Sequence, residues 1–430
     1  MFRKLFATLV MVVLLSVPVS FAQDAPVEIT FWEFSTDNAS LEAWNNAIAG
    51  FEELHPNIKI NMEIVPWAEQ QQRLVTALTA GGLPDVSMLG NNVVAQYQAL
   101  GALYPLTDYF AQWSEEVGRD ITEDVWPGDR DYYFLNGDWW GSPVAAETRV
   151  LWYRKDLLSA AGYDAPPDTW EELAEIARAV TTDDVYGFAF AGGIGYDTLQ
   201  VFMSVYLGYG ARFLNEEGMC GFDTQEFRDA LSFYSDLYLT DNVSSPDTPT
   251  IGDGAAIRQL FTDGRAAMII TGPWLQPELV AANPDWLDQV GTAFVPAGPE
   301  GRFGFLGGWP LVMWATTEHP DETFAWIRYA TDPELGLTQI AETASLTPGK
   351  RPLTDQWLAS YDQPWRDMMQ VVVDQLDFAY PYQYPAAEIP QMATLEVDAI
   401  QTAVQDVLLG KSVDQATIEL CERINDVLSR

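Results

Sequence analysis

The sequence predicts an α/β fold built as two lobes, on three observations. Strand-like and helix-like hydrophobic periods alternate from residue 27 onward, the pattern of parallel sheets covered by helices. Beyond a leader-like start the chain runs to about 408 residues, more than one ordinary core accommodates. Pro- and Gly-rich joints at 141–143 and 296–310 mark where the chain is expected to cross a hinge.

The elements follow in order. Val27 to Trp32 alternates as a strand, and Ser40 to Leu54 has helical spacing at Leu41, Trp44, Ile48 and Phe51, with Asn38 or Ser40 as its cap. Ile58 to Ile64 is a second strand and Ala68 to Ala80 the next helix, ended by Gly81-Gly82. Pro84 to Leu89 is a short third strand, so a βαβαβ lobe fills roughly the first 110 residues. After Gly141-Ser142-Pro143 the pattern restarts. Val150 to Tyr153 is a strand and Asp156 to Ala161 a helix ended by Gly162; a helix starts at Asp168 to Glu172, where Thr169 and Glu172 have capping-box spacing. Tyr186 to Phe190 reads as a strand and Phe227 to Leu239 as a helix. Phe294 to Pro296 and Leu311 to Trp314 read as strands returning to the first lobe, and the chain from Thr323 on is largely helical. The expected division is a leader at 1–22, a first lobe of 23–141 plus about 303–345, and a second of 142–302 plus about 346–430.

Arg3 and Lys4, an apolar run from Leu5 to Val19 broken by Pro18, and Ser20-Phe21-Ala22 predict a secretory signal peptide cleaved after Ala22. The run is short for a membrane span, and no Cys near the cleavage site suggests a lipid anchor. The formal net charge of −40 disfavours nucleic acid and anionic lipid as partners, and a highly charged anionic ligand would need a local Arg cluster. Cys220 and Cys421, in an exported chain, leave one disulfide open as a possibility. His55 and His319 each precede a proline at an expected solvated turn, which argues against a His-based metal site or catalytic base.

One run stands out. Ala266 to Thr271 drives a buried strand into Gly272-Pro273 and leaves Trp274 where the strand ends and a cleft can form. Gly192 to Gly195 is not a phosphate loop, because it lacks the Lys-Ser/Thr ending, and Asp183-Asp184 lacks calcium-loop spacing.

Taken together, Gly81 to Val86, Pro143 to Leu157, Pro167 to Leu173, Phe261 to Trp274, Leu306 to Gly308 and Ile389 to Met392 resemble, in order and spacing, the extracellular solute-binding proteins of ABC importers, in the group that contains maltose-binding protein. The resemblance implies a type II periplasmic-binding-protein fold, with two α/β lobes, a hinge and an interlobe cleft. It also implies a carbohydrate ligand delivered to an ABC permease, a monomer outside the cytoplasm, and neither cofactor nor catalytic residue. The chemistry is compatible: a sugar offers rim hydroxyls and apolar C–H faces, and sixteen Trp and eighteen Tyr can supply rings.

By the same resemblance Trp274 matches a sugar-stacking aromatic, and Glu147, four residues after Pro143, a carboxylate that accepts sugar hydroxyls. Asn91 and Asn92 fall at polar ligand contacts, and Tyr196 matches a second-lobe aromatic. Trp309 follows Gly307 and Gly308, a pair that lets backbone approach the cleft. Two positions depart from the pattern: Leu89 stands for a first-lobe aromatic, and a late stacking ring is replaced near Glu396, so maltodextrin itself is not the expected ligand. Trp32, Trp67 and Trp309 are alternative stacking rings, and Arg351 an expected cleft donor. Each has a plainer reading: Trp32 as core, Trp152 and Trp170 as packing, and Glu147 with Arg149 as a surface ion pair worth little. A secreted glycoside hydrolase, and a binder of a phosphorylated polyol or a peptide, are the competing functions.

Overall fold

The computed structural model describes residues 26–381 and 399–429. The leader at 1–22, Ile389 to Met392 and Glu396 lie outside the described residues. Among the described residues the larger sheet has six strands. β1 (Val27–Glu33) runs parallel to β2 (Ile58–Ile64) on one side and β3 (Val86–Met88) on the other. This is the βαβαβ unit that the alternation predicts. The helix Asn38–Leu54 buries Ser40, Ala43, Trp44, Ala47 and Phe51, and its cap is neither predicted residue: Asp37 accepts the Ser40 N–H at 2.8 Å.

Two short strands, β4 (Phe134–Leu135) and β5 (Asp138–Trp139), form a separate hairpin, and the chain then enters β6 (Ser142–Thr148). β6 leads through Arg149 into β7 (Val150–Arg154), which belongs to a second sheet with β8 (Met268–Thr271) and β9 (Val290–Ala293) on either side. Both of these pairings are antiparallel, so the purely parallel second lobe expected from alternation is not what forms. Tyr186 to Phe190 contributes only a parallel bridge at Tyr186 and Ala266. At Gly187 the helix Trp170–Val180 comes so close that a Cβ would lie 2.0 Å from the Ala177 carbonyl oxygen, and the segment stays irregular. The predicted strand Phe294 to Pro296 does not form: β9 ends at Ala293, immediately before it.

β10 (Gly304–Met313) is buried along its whole length and pairs antiparallel with both β3 and β6, while β11 (Ala379–Pro381) runs parallel to its first residues. Its register with β6 shifts between Trp309 and Pro310, where proline has no N–H to donate. β6 and β10 are the paired crossings between two hydrophobic bodies. One core runs from Ile29 to Ala145 and from Trp309 to Leu353. The second lobe holds a large core from Leu151 to Phe305 and Ala399 to Ile424, and a smaller one around Trp152, Phe261 and Met369. Trp152 and Trp170 are fully buried, as packing residues should be.

Cys220 and Cys421 form a disulfide with a Cα–Cα distance of 5.3 Å inside the second-lobe core. His55 and His319 cap helix ends and are half-buried rather than fully solvated; the His55 ring stacks on Phe51 at 4.5 Å. No helix among the described residues is long and apolar enough to cross a membrane.

Candidate functional site

The site is built where one continuous stretch of chain changes sheets. Glu147 stands opposite Gly307 in the β6–β10 pair, and Val150 stands opposite Thr271 in the β7–β8 pair. Arg149 lies between these registers, so β8 delivers Gly272, Pro273 and Trp274 beside it. Trp274 then starts the helix Leu275–Ala282. Although it follows a second-lobe strand, its half-buried ring packs against the first-lobe core.

Arg149 is buried, 5% exposed, and its guanidinium donates to the Glu147 carboxylate and to the Gln200 side-chain oxygen. It also lies 4.4 Å from the Trp274 ring centroid and 5.5 Å from that of Phe305, within cation–π range. Burial lowers its pKa to about 10, against the charge of Asp197, with Arg258 adding to the decrease. The pair is therefore not the surface ion pair of the plainer sequence reading. Alternation along β6 and β7 hides this, because Arg149 belongs to neither strand and only the sheet exchange buries it.

On the first-lobe side, β3 ends at Met88 and the helix Asn91–Ala99 begins, burying both asparagines. At Gly90 a Cβ would fall 2.5 Å from the Asn92 side-chain oxygen, so a larger residue there would displace that amide. The Asn92 amide donates to the Tyr196 hydroxyl at 3.3 Å, so these two predicted residues meet between elements of different lobes. The Asn91 amide nitrogen is buried without a hydrogen-bond partner. Tyr196 opens the helix Tyr196–Gly208, and the glycines before it serve packing: at Gly195 a Cβ would fall 1.9 Å from the Gly252 carbonyl oxygen.

Trp309 is buried in the first-lobe core with its indole N–H unpartnered, and its ring is 6.0 Å from Trp67, which in turn meets Phe34 at 5.3 Å. Gly308, at φ +153°, has Ala145 O 2.6 Å from the Cβ position, with Asp129 Oδ1 and Tyr133 Oη each at 3.3 Å. Asp129 was not foreseen. It is fully buried, both carboxylate oxygens lack partners, and burial holds its pKa well above the usual range. A lone Asp in a short Pro-started helix carries no sequence signal of this kind. Trp32 takes the core reading, 4% exposed with Arg73 over its ring at 4.9 Å. Arg351 is exposed and donates to the Glu123 carbonyl at 2.7 Å, which ties two turns together. Among the described residues no group of three or more His, Cys, Asp or Glu is placed to hold a metal.

The family of bacterial extracellular solute-binding proteins matches residues 36–336, well over half of the sequence. The chain belongs to that family. A binding protein of Brucella abortus is 28% identical to this solute-binding protein over 310 residues, covering 71% of this chain and 72% of its own. The mannitol-binding protein of Pseudomonas aeruginosa is 26% identical over 318 residues, 71% of this chain and 70% of its own. A solved ABC transporter solute-binding protein of Thermotoga lettingae, bound to α-D-tagatose, superposes with a TM-score of 0.83 at 27% identity, over 94% of this chain and all of that one. The fold is thus the type II periplasmic-binding-protein fold of the maltose-binding-protein-like structures.

Proposed function

We propose that this protein is an exported, monomeric receptor that captures a sugar or sugar alcohol between its lobes and passes it to an ABC import permease. One observation carries the proposal: Trp274, Glu147, Asn92 and Tyr196 sit at the crossing between the lobes, where a flat ring and buried polar groups suit a ligand with apolar faces and a rim of hydroxyls. The mannitol-binding relative and the tagatose-bound structure, each above 25% identity, support the same ligand class. Asn91 and Trp309, with their unpartnered N–H groups, and Trp67 and Gly308 complete the proposed site. The lobes are taken as 23–141 with about 303–345 and 142–302 with about 346–430; the two large cores follow this division except near its boundaries, where Leu346 and Leu353 pack with the first lobe and Phe305 with the second. Export rests on the leader at 1–22, with Gln23 as the first mature residue.

The competing ligands fit less well. A phosphorylated polyol needs free cations, whereas Arg149 is held by Glu147 and Gln200, and Arg351 by a carbonyl. The test is a thermal-shift screen with D-mannitol, D-tagatose, maltose and arabino-oligosaccharides, with recovered sugar analysed for cleavage. A ligand at 100 times its Kd adds about 2.7 kcal/mol of stability. Stabilisation with intact sugar is expected. Shortened oligosaccharides would establish a hydrolase, and no stabilisation by any of them would overturn the sugar reading.

A further inference from the structure

Buried arginines are costly unless every contact they make is used, so the surroundings of Arg149 are informative. Its guanidinium reaches four groups supplied by four elements: Glu147 on β6, Gln200 on the helix Tyr196–Gly208, Phe305 on β10, and Trp274 after β8. Two of these, Glu147 and Trp274, are the carboxylate and the ring assigned to the ligand. From another direction the Trp274 ring meets Gly272, where a Cβ would fall 2.1 Å from its Cη2 and Cζ3 atoms. Only glycine lets the ring settle there, so the ring is held between that backbone and the guanidinium.

We infer that Arg149 is the positioning residue of the sugar site, orienting the Trp274 ring and one oxygen of Glu147 before any ligand arrives, so that the site takes neutral carbohydrate. This rests on the sugar reading above and deepens it. An unliganded aromatic wall that already has its orientation loses little side-chain entropy on stacking. A guanidinium whose charge is already met by a carboxylate and which lies against two rings offers a phosphate or a uronate less than a free arginine would. Lysine cannot replace it, because an ammonium has no flat face to set against the indole and a single nitrogen in place of the two that reach Glu147 and Gln200.

Two measurements separate this inference from the reading it rests on. In protein labelled with 5-fluorotryptophan, with the Trp274 resonance assigned by its loss in Trp274→Phe, Arg149→Lys should shift and broaden that resonance in the ligand-free state. Trp286, which Arg154 covers in the same manner at 3.9 Å, is the internal control and should respond to Arg154→Lys instead. An unmoved Trp274 resonance in Arg149→Lys overturns the inference whether or not a sugar binds. Should Arg149→Lys fail to fold, Gln200→Ala, which removes one anchor of the guanidinium from a half-buried position, is expected to move the same resonance to a smaller extent. The second measurement is affinity for D-mannitol, D-tagatose or maltose, whichever binds. Arg149→Lys should weaken it about tenfold or more, and adding Arg149→Lys to a protein that already carries Trp274→Ala and Glu147→Gln should weaken it by no more than about a further threefold. Losses that multiply, or tighter binding of mannitol 1-phosphate or glucuronate than of the neutral sugars, would refute it. If none of these sugars binds, the sugar reading falls and the fluorine resonance still decides the role of Arg149.

Discussion

At the scale of single residues, burial decides what each side chain can do. Trp274 is held in place yet half exposed, the arrangement of a binding hot spot, so Trp274→Ala should cost about 2–4 kcal/mol of sugar affinity by titration calorimetry. Unaltered affinity would mean that the ring is core. Glu33 presents the opposite case. It ends β1 fully buried, neither carboxylate oxygen has a partner at hydrogen-bonding geometry, and its pKa rises from 4.5 to about 7, chiefly through burial, with Ser35 opposing. Below about pH 4.5 the carboxyl is protonated in folded and unfolded chains alike and costs nothing. Between 4.5 and 7 the unfolded chain releases the proton that the folded one keeps, so stability falls as pH rises. Above 7 the loss is constant, on the order of 3 kcal/mol. Glu33→Gln should therefore melt higher than the parent at pH 8 and level with it at pH 4; equal melts at pH 8 would refute this.

At the scale of elements, the disulfide ties the turn at Cys220 to the helix Val413–Leu428, 201 residues later, and the Cys220 N–H also donates to Asn425 on that helix at 2.8 Å. The bond closes most of the second lobe in the unfolded chain. In the chain-entropy picture this is worth up to about 5 kcal/mol. The double variant Cys220→Ser with Cys421→Ser should lose several kcal/mol in denaturant titrations while keeping its sugar affinity, because both residues lie in the second-lobe core rather than at the lobe crossing. A changed affinity at unchanged stability would contradict that placement.

At the scale of the whole molecule, β6 and β10 carry the chain between lobes as one paired ribbon, and Asn92 reaches Tyr196 across the gap. A ligand bound by both lobes favours the closed arrangement only through contacts made better there, and converting a 1:99 mixture to 99:1 needs about 5.5 kcal/mol of preference. Small-angle scattering should show a smaller radius of gyration under saturating sugar. An unchanged radius would count against closure.

Much of this was legible in the chain itself. Period and cap signals locate β1, β2 and their helices because those elements are stabilised locally by side chains near in sequence, and the run into Gly272-Pro273-Trp274 marks a strand end because glycine and proline stop a ladder by their own covalent structure. The sequence by itself thus determined the α/β class, the two-lobe fold and the aromatic, polar make-up of the proposed site. Tertiary structure alone decided the pairing of Cys220 with Cys421, the antiparallel second sheet, and the fates of Trp32 and Arg149. Trp32 and Trp309 read alike in sequence, each an indole on a strand beside other rings. Arg149 reads as a solvated charge, and is buried because β6 and β7 belong to different sheets, so the residue between them meets Glu147, Gln200 and Trp274 at once. The physical reason is common to all of these: burial and partner choice depend on segments 50 to 200 residues apart, and no local period encodes which of them will meet.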